Sequence, residues 1–381
     1  MVDISRTADA PRSVHPVFRP SEDVPGWPEG ALLRPSAQAH PLDWPAIARY
    51  LESHGLAFDE HVPARQFAGG LANLNYLVRL NGGWHVLRRP PDGPLPPGAN
   101  DMRREHRILS RLWRELALAP RSLHLCEDEA VAGAPFQIIE FRSGIAVKGD
   151  DLTLLAGVPG IEAYLAGMIV DTLVAIHSVD LDAVGLAGLG RPDGFFRRAV
   201  QGWSDRAERV ADGKLPSAAA HIIRWLAAVP DPRGGEAALL HNDFKLDNIL
   251  LDPVSLRPAA VVDWDMGTRG DPLFDLATLL SYWSEPTDPA CMLRLAQMPT
   301  ARSGFPGREE VAQAYQRRAG RSVTAIKPYR VLTMLKLGVV FQQLHARFLT
   351  GDTRDSRYAA FGSLGEELHE FTIDIVNDRI F

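Results

Sequence analysis

The sequence predicts an α+β protein of two lobes, a small β-rich lobe followed by a larger, mainly helical one. Three observations carry this reading. Between residues 66 and 141, short period-two runs alternate with Gly- and Asn-rich turns. After Phe141 the pattern changes to long apolar segments of helical period. One polar segment, Leu239–Gly267, interrupts those helices with two short apolar runs and turn-forming residues. At 381 residues the chain is long enough for a large core and two lobes. The expected division is a tail or arm over 1–40, a first lobe over 41–141 and a helical lobe over 142–381.

Composition narrows the class. The chain is 46% hydrophobic and 23% charged, with a formal net charge of −6, which argues for neither nucleic acid nor an anionic membrane as partner. Its two cysteines, Cys126 and Cys291, form no disulfide framework or zinc motif, in keeping with a reducing compartment. The opening residues lack a basic-then-apolar leader and no apolar run reaches membrane-spanning length, so the expected location is the cytoplasm. Oligomeric state cannot be read from this composition.

Taken in order, residues 1 to about 40 are rich in Pro, Ser and Ala and suit either a disordered tail or an arm lying across a domain. A first helix is expected over Asp43–His54, with Asp43 as N-cap, Pro45 in its first turn and Gly55 as its stop. QFAGGLANLN (66–75) leads into a strand over Tyr76–Leu80; Asn81-Gly82-Gly83 turns the chain into a returning strand over Trp84–Arg88. A proline-rich stretch follows, then a helix over Asp101–Leu116 with Asn100 as N-cap and Ile108, Leu109, Leu112 and Trp113 buried. Strands are expected near Ser122–Glu127 and Phe136–Phe141. The helical lobe then reads as Ile161–His177, Gly194–Ala211, Ala218–Ala228, Leu273–Tyr282, Arg308–Arg318, Ala325–Phe348 and Leu364–Val376.

The chemistry concentrates in LLHNDFKLDNILLDPVSLRPAAVVDWDMG (239–267). His241, Asp243 and Asn248 stand in the order H-x-D-x-x-x-x-N, the spacing of a kinase catalytic loop. A hairpin through Ile249–Leu251 and Ala259–Val262 brings Asp263 back beside Asn248, a hard-oxygen pair that suits Mg²⁺ sharing ligands with a triphosphate. Asp243 is then free to take a proton from an attacking hydroxyl, and Lys245 can reach the transferred γ-phosphate. His241 is expected to anchor the loop, Asp247 to cap a turn and Asp265 either to bind a second metal or to face the backbone. Asp271 reads as a helix N-cap, Asp275 as a tether for the loop and His177 as a satisfied core histidine. Upstream, Gly69 and Gly70 with Asn73 can cradle phosphates, because small residues let backbone N–H groups approach them. The cation for the α/β-phosphates falls to Arg88, or to its neighbour Arg89, with Glu105 on the next helix as carboxylate partner.

These residues together resemble the aminoglycoside phosphotransferase/choline kinase family, a branch of the protein-kinase-like fold. The resemblance rests on GGLANLNYLV (69–78), HVLRRPP (85–91), REHRIL (104–109), HNDFKLDNILLD (241–252), VVDWDMG (261–267) and GDPLFDLATLL (270–280), and spans roughly 45–350. Within the family it is most similar to the phosphotransferase domain associated with acyl-CoA dehydrogenases. The resemblance implies a nucleotide clamp in 41–141, Asp243 as catalytic base and Asn248 and Asp263 as Mg²⁺ ligands. It also implies a hinge at Ile139–Phe141, around Glu140, whose backbone holds adenine. Arg88 stands where a kinase has lysine, which leaves the choice of ATP or GTP open. The function expected is Mg²⁺-dependent transfer of phosphate from ATP or GTP to a hydroxyl of a small molecule, whose identity the sequence does not specify. The alternatives are a kinase-fold nucleotide binder without transfer activity and a metal-dependent hydrolase.

Overall fold

The computed structural model describes residues 28, 31–68, 73–93, 98, 100–232, 236–351 and 356–381. Helix α1 (Trp44–Ser53) begins where expected: Asp43 accepts from Ala46 N at 3.0 Å and Pro45 sits in the first turn. After the short β1 (Arg65–Gln66), strands β2 (Leu74–Leu80) and β3 (Gly83–Arg89) form a hairpin in register Leu80↔Gly83. Asn81 and Gly82 both take positive φ, +49° and +76°, as a type I′ turn requires.

Helix α2 (Met102–Leu112) corrects the sequence reading at both ends. Its N-cap is Asp101, which accepts from Arg104 N, whereas Asn100 takes a left-handed φ of +54° and turns its side chain to Asn73. Trp113 lies past the helix end, half-buried between Arg114 and Arg121. Strand β4 (Ser122–Cys126), the short α3 (Glu129–Ala132) and β5 (Phe136–Glu140) complete a five-stranded antiparallel sheet of order β1-β2-β3-β5-β4.

The remaining elements are β6 (Ile145–Ala146), α4 (Ile161–His177), α5 (Phe195–Val210), α6 (Ser217–Ala228), β7 (Ala238–Leu240), β8 (Ile249–Leu251), β9 (Pro258–Val261), β10 (Thr268–Gly270), α7 (Pro272–Tyr282), α8 (Ala290–Leu295), α9 (Arg308–Ala319), α10 (Ile326–Leu349) and α11 (Phe361–Val376). Apart from α2, which ends four residues before the expected Leu116, the expected helices are present within three residues at each end. The expectation lacked α3, α8 and the short strands β1, β6, β7 and β10, which are too brief to carry a period. Two of these matter for the site. β7 and β10 pair antiparallel, Leu240 against Thr268, so the polar segment leaves and rejoins the helical lobe at one point.

Two cores hold the lobes. The smaller packs α1 and α3 against one face of the sheet through Ile47, Leu51, Tyr76, Val78, Leu80, Leu87, Phe136 and Ile138. Alternation turns Leu77, Val86, Arg88, Gln137 and Ile139 to the other face, toward α2 and the interlobe cleft. The larger core runs through the helical lobe and takes in Ile108, Leu109 and Leu112 of α2, so α2 is anchored below the sheet. Cys126 and Cys291 are free thiols, both buried. No helix among the described residues is long and apolar enough to cross a membrane.

Two buried basic side chains of the helical lobe lead to stability predictions. Arg330 on α10 is 1% exposed, and its Nε, Nη1 and Nη2 have no hydrogen-bond partner among the described residues. Burial and the like charge of Arg308 push its pKa down to about 9. A buried guanidinium that makes no hydrogen bond among the described residues and meets only the Phe381 ring and the charges of Glu285 and Asp288 is costlier than a packed apolar chain, so Arg330→Met is expected to raise the free energy of unfolding by about 1–3 kcal/mol. A shift of the urea midpoint at constant m-value measures it.

His369 on α11 is fully buried against Gly338 of α10, where a Cβ would lie 2.3 Å from His369 Nε2. Burial lowers its pKa from 6.5 to about 4. The unfolded chain therefore binds a proton below pH 6.5 that the folded protein refuses until about pH 4. Its contribution to stability is full above pH 6.5 and falls with acidification through that window, by about 2 kcal/mol between pH 7 and 5. His369→Gln, which keeps an N–H for Leu335 O, is expected to flatten that stretch of the stability–pH curve.

Candidate active site

The site forms where the β7–β10 loop meets the free face of the sheet. Backbone pairing places its two limbs together: Ile249 pairs with Val261, and Val262 N donates to Asn248 O at 2.9 Å, so Asp263 lies next to Asn248. Asn242 and Asp263 adopt left-handed φ of +66° and +69°. Asn and Asp tolerate that region better than other side chains with a Cβ, which suits them to these two bends; Leu256, between β8 and β9, also takes it, with a φ of +58°.

The loop is tied down from below. Asp275, in the first turn of α7, accepts from His241 N at 2.6 Å and Asn242 N at 2.7 Å. His177 lies 3.5 Å from the same carboxylate and 2.7 Å from Tyr315 Oη. His241 accepts from Asp243 N at Nδ1 and donates from Nε2 to Val262 O at 2.9 Å, which ties the two limbs to each other. Asp271 caps α7 at Leu273 N and also receives the Tyr329 hydroxyl. Asp247 differs from expectation: the turn Leu246–Asn248 has no side-chain cap, and Asp247 instead faces Lys245 and Lys148, with burial raising its pKa.

Asp243 is the centre of the arrangement. Tyr282 Oη donates to its Oδ1 at 2.6 Å, Asn248 Nδ2 donates to its backbone oxygen at 2.8 Å and lies 3.3 Å from Oδ2, and Lys245 Nζ is 3.4 Å from Oδ2. Burial acts to raise its pKa, but Lys245, Lys336 and the Tyr282 hydroxyl outweigh it and hold the carboxyl below its ordinary value. Its side chain is still 27% exposed, so an ionised carboxylate opens on the cleft. Lys245, in turn, packs on the Tyr282 ring at 5.0 Å, and the charges of Asp243, Asp247 and Asp263 overcome burial to raise its pKa.

Across the cleft, Arg88 Nε donates to Glu105 Oε2 at 2.7 Å; its Nη1 reaches Asn75 Oδ1 at 3.3 Å and its Nη2 pairs with Asp263. Burial opposes the guanidinium charge, and Glu105, Asp263 and Asp265 more than restore it. Glu105 receives only donors: Arg88, Gln137 Nε2 at 2.6 Å and Trp264 N at 3.0 Å. Arg89 lies on the opposite face, paired with Asp92, so the carboxylate of α2 meets Arg88. Asn73 Nδ2 donates to Asp265 Oδ2 at 3.3 Å, joining the strand entry to the loop. Gly69 and Gly70 lie outside the described residues. Glu140 ends β5; its N–H goes to Arg121 O, and its carboxylate receives Arg121 N and pairs with Arg142.

The donor set fits Mg²⁺. Asn248 Oδ1 accepts from no described group, Asp263 is 30% exposed, and Asp265 is pushed up to about 7 by burial and the adjoining Asp263 carboxylate. A cation relieves such a crowded negative pair. Among the described residues no group of three His, Cys, Asp or Glu side chains could hold a metal alone.

Three neighbours were not legible as site residues: Tyr282 at the end of α7, Gln137 on β5 and Lys336 in the middle of α10. Lys336 left a signal, a single charge inside MLKLGVV (334–340), which a buried helix carries only for a partner. It donates to Asn242 O at 2.5 Å.

Fold and sequence together define the class, a protein-kinase-like phosphotransferase fold with a small antiparallel sheet above a helical lobe. The chain belongs to the phosphotransferase enzyme family (APH), whose profile matches residues 63–319. It is 29% identical to acyl-CoA dehydrogenase family member 11 of Gallus gallus over 344 residues, 88% of this chain and 44% of that protein. Against member 10 of Mus musculus it is 30% identical over 356 residues, 91% of this chain and 32% of the relative. The chain thus spans less than half the length of these relatives. Among solved structures, an aminoglycoside phosphotransferase-like protein of Ralstonia eutropha superposes with a TM-score of 0.71 at 24% identity, covering 89% of this chain and 99% of that one. A thermostable mutant of aminoglycoside phosphotransferase APH(4)-Ia, in ternary complex with ADP and hygromycin B, gives 0.54 at 18% identity, covering 87% and 98%. At these identities the likeness is one of fold.

Proposed function

We propose that this protein transfers the γ-phosphoryl group of ATP or GTP to a hydroxyl of a small molecule, with Mg²⁺ as cofactor. The observation that carries the reading is Asp243, an ionised carboxylate opening on the cleft with Asn248 and Lys245 on its own loop and Asp263 on the returning limb. In this reading Asp243 orients the acceptor hydroxyl and takes its proton as the oxygen attacks the γ-phosphorus and the nucleoside diphosphate leaves. Tyr282 fixes the carboxylate rotamer. Lys245 adds positive charge where the transferred group gains negative charge, and Arg88, held by Glu105, does so on the α/β-phosphate side. Asn248 and Asp263 would hold Mg²⁺, which supplies charge neutralisation for the phosphates. Residues 41–141 would serve as the nucleotide clamp, with Gly69, Gly70 and Asn73 at the phosphates and the chain around Glu140 at the base. Residues 142–381 would carry the catalytic loop and acceptor site, in a cytoplasmic setting that keeps both thiols reduced.

A second reading, a nucleotide-binding protein without transfer, draws on the Arg88–Asp263 pair, which competes for a proposed metal ligand. One screen separates the two. With Mg-ATP and a panel of hydroxylated metabolites, acceptor-dependent release of ADP supports transfer. Calorimetric binding of Mg-ATP without ADP release supports the silent reading, and phosphate release without an acceptor identifies a hydrolase.

A further inference from the structure

Beside the catalytic loop, on the side of α2 away from the Arg88–Glu105 pair, lies an open cavity of about 610 Å³. Its described walls bring four guanidinium groups together, Arg103, Arg104 and Arg107 from α2 and Arg206 from α5, against one carboxylate, Asp101. The floor is Asn242, the residue before Asp243, with the chain following Asp265. We propose that this cavity binds an oxyanion group, a phosphate or carboxylate, bridging α2 to the catalytic loop and α5.

The arginines are unequally engaged. Arg103 pairs outward with Glu127, and Arg104 reaches Asp101 at 3.3 Å and the backbone oxygen of Asp265 at 3.1 Å. Arg107, exposed one turn after Arg103, has no carboxylate partner among the described residues. Arg206 stacks over Trp203 at 4.6 Å, which holds its planar group toward the cavity from the opposite wall. Asp205, its neighbour on α5, offsets part of the Arg206 charge, and Asp205 and Glu208 also line a separate cavity with Arg209. Two helices thus converge positive charge on one space, and a forked guanidinium matches the paired oxygens of phosphate and carboxylate. The space exceeds what a bare phosphate fills, so the anion is one group of a larger molecule. It is carried either by the phosphoryl acceptor, in which case the inference rests on the transfer reading, or by a separate effector that fixes α2 and with it Glu105.

Calorimetric titration of inorganic phosphate into ADP-saturated protein tests the site without requiring turnover. Phosphate is expected to bind, and Arg107→Gln and Arg206→Gln are each expected to weaken it about tenfold, the loss of one charge-assisted contact. ADP affinity and melting temperature should stay as in the parent, and Arg49→Gln, an exposed position on α1, should change nothing. Absence of phosphate binding, or equal binding in both variants, overturns the proposal. The source of the anion follows from acceptor pairs that differ only in a carboxylate or phosphate. If the acceptor carries it, the variants raise KM about tenfold for the charged member alone. If an effector carries it, added phosphate alters the rate with the neutral member and the variants lose that response. A protein that transfers to no acceptor yet binds phosphate through Arg107 and Arg206 keeps the site and loses the transfer reading.

Discussion

Asp243→Asn is expected to lower kcat about 10²–10⁴-fold while leaving nucleotide binding intact, the range general-base catalysis supplies. The substitution is nearly isosteric. Asparagine Oδ1 can still accept the Tyr282 hydroxyl, which reaches Asp243 at 2.6 Å, so the loop keeps its geometry. What disappears is the proton acceptor. The parent carboxyl is held below its ordinary pKa by Lys245, Lys336 and Tyr282 against the effect of burial, so it is ionised throughout the neutral range. Nucleotide affinity should stay the same or tighten slightly, because one negative charge leaves the neighbourhood of two lysines. Single-turnover transfer together with calorimetric ADP binding separates the two effects. A variant that turns over at the parental rate would remove Asp243 from the base role.

Glu105→Ala is expected to cost about 3–5 kcal/mol of stability, the largest loss of any single change considered for this site. Glu105 is 1% exposed and satisfies three donors at once: Arg88 Nε, Gln137 Nε2 and Trp264 N. Its removal leaves the buried Arg88 Nε, the Gln137 amide and the backbone N–H of Trp264 without their acceptor, where α2, the sheet and the returning limb of the loop meet. Glu105→Gln keeps the volume and an acceptor for Trp264 N, so it should lose less, about 1–3 kcal/mol. Urea unfolding of the two variants ranks them. The order Ala worse than Gln worse than parent is the expected result, and equal stability of parent and Ala would show that the pair contributes nothing. In a phosphotransferase built this way, both variants should also bind nucleotide more weakly, because Arg88 and Asp263 lose the anchor that aligns them.

The helices were legible in the sequence because their signals are local. Asp43, Asp271 and Pro272 mark starts by capping chemistry, and the buried Ile108, Leu109 and Leu112 of α2 repeat at helical spacing. The Asn81-Gly82 hairpin was equally plain, since its turn needs two positive φ values. The error at α2 came from the same source: Asn100 and Asp101 both suit an N-cap, and the choice depends on Asn73, which Asn100 contacts across 27 positions of chain. The strands β7 and β10 escaped detection because each has three residues and their pairing is non-local.

The candidate site divides along the same line. Asp243, Asn248 and Asp263 stand at fixed offsets on one loop, so spacing alone placed them together. Arg88 and Glu105 followed from period two on a strand and the next helix. By contrast, Tyr282, Gln137, Lys336 and the convergence of Arg107 with Arg206 required the tertiary structure. Each reaches its place through the packing of elements distant in sequence, and no local pattern encodes which face of a helix or sheet will meet which partner. The sequence by itself determined the order and chemical type of the groups facing the cleft. The folded chain decided their partners, because burial and neighbouring charge, not residue identity, set which carboxylate stays ionised and which cation is left to meet a ligand.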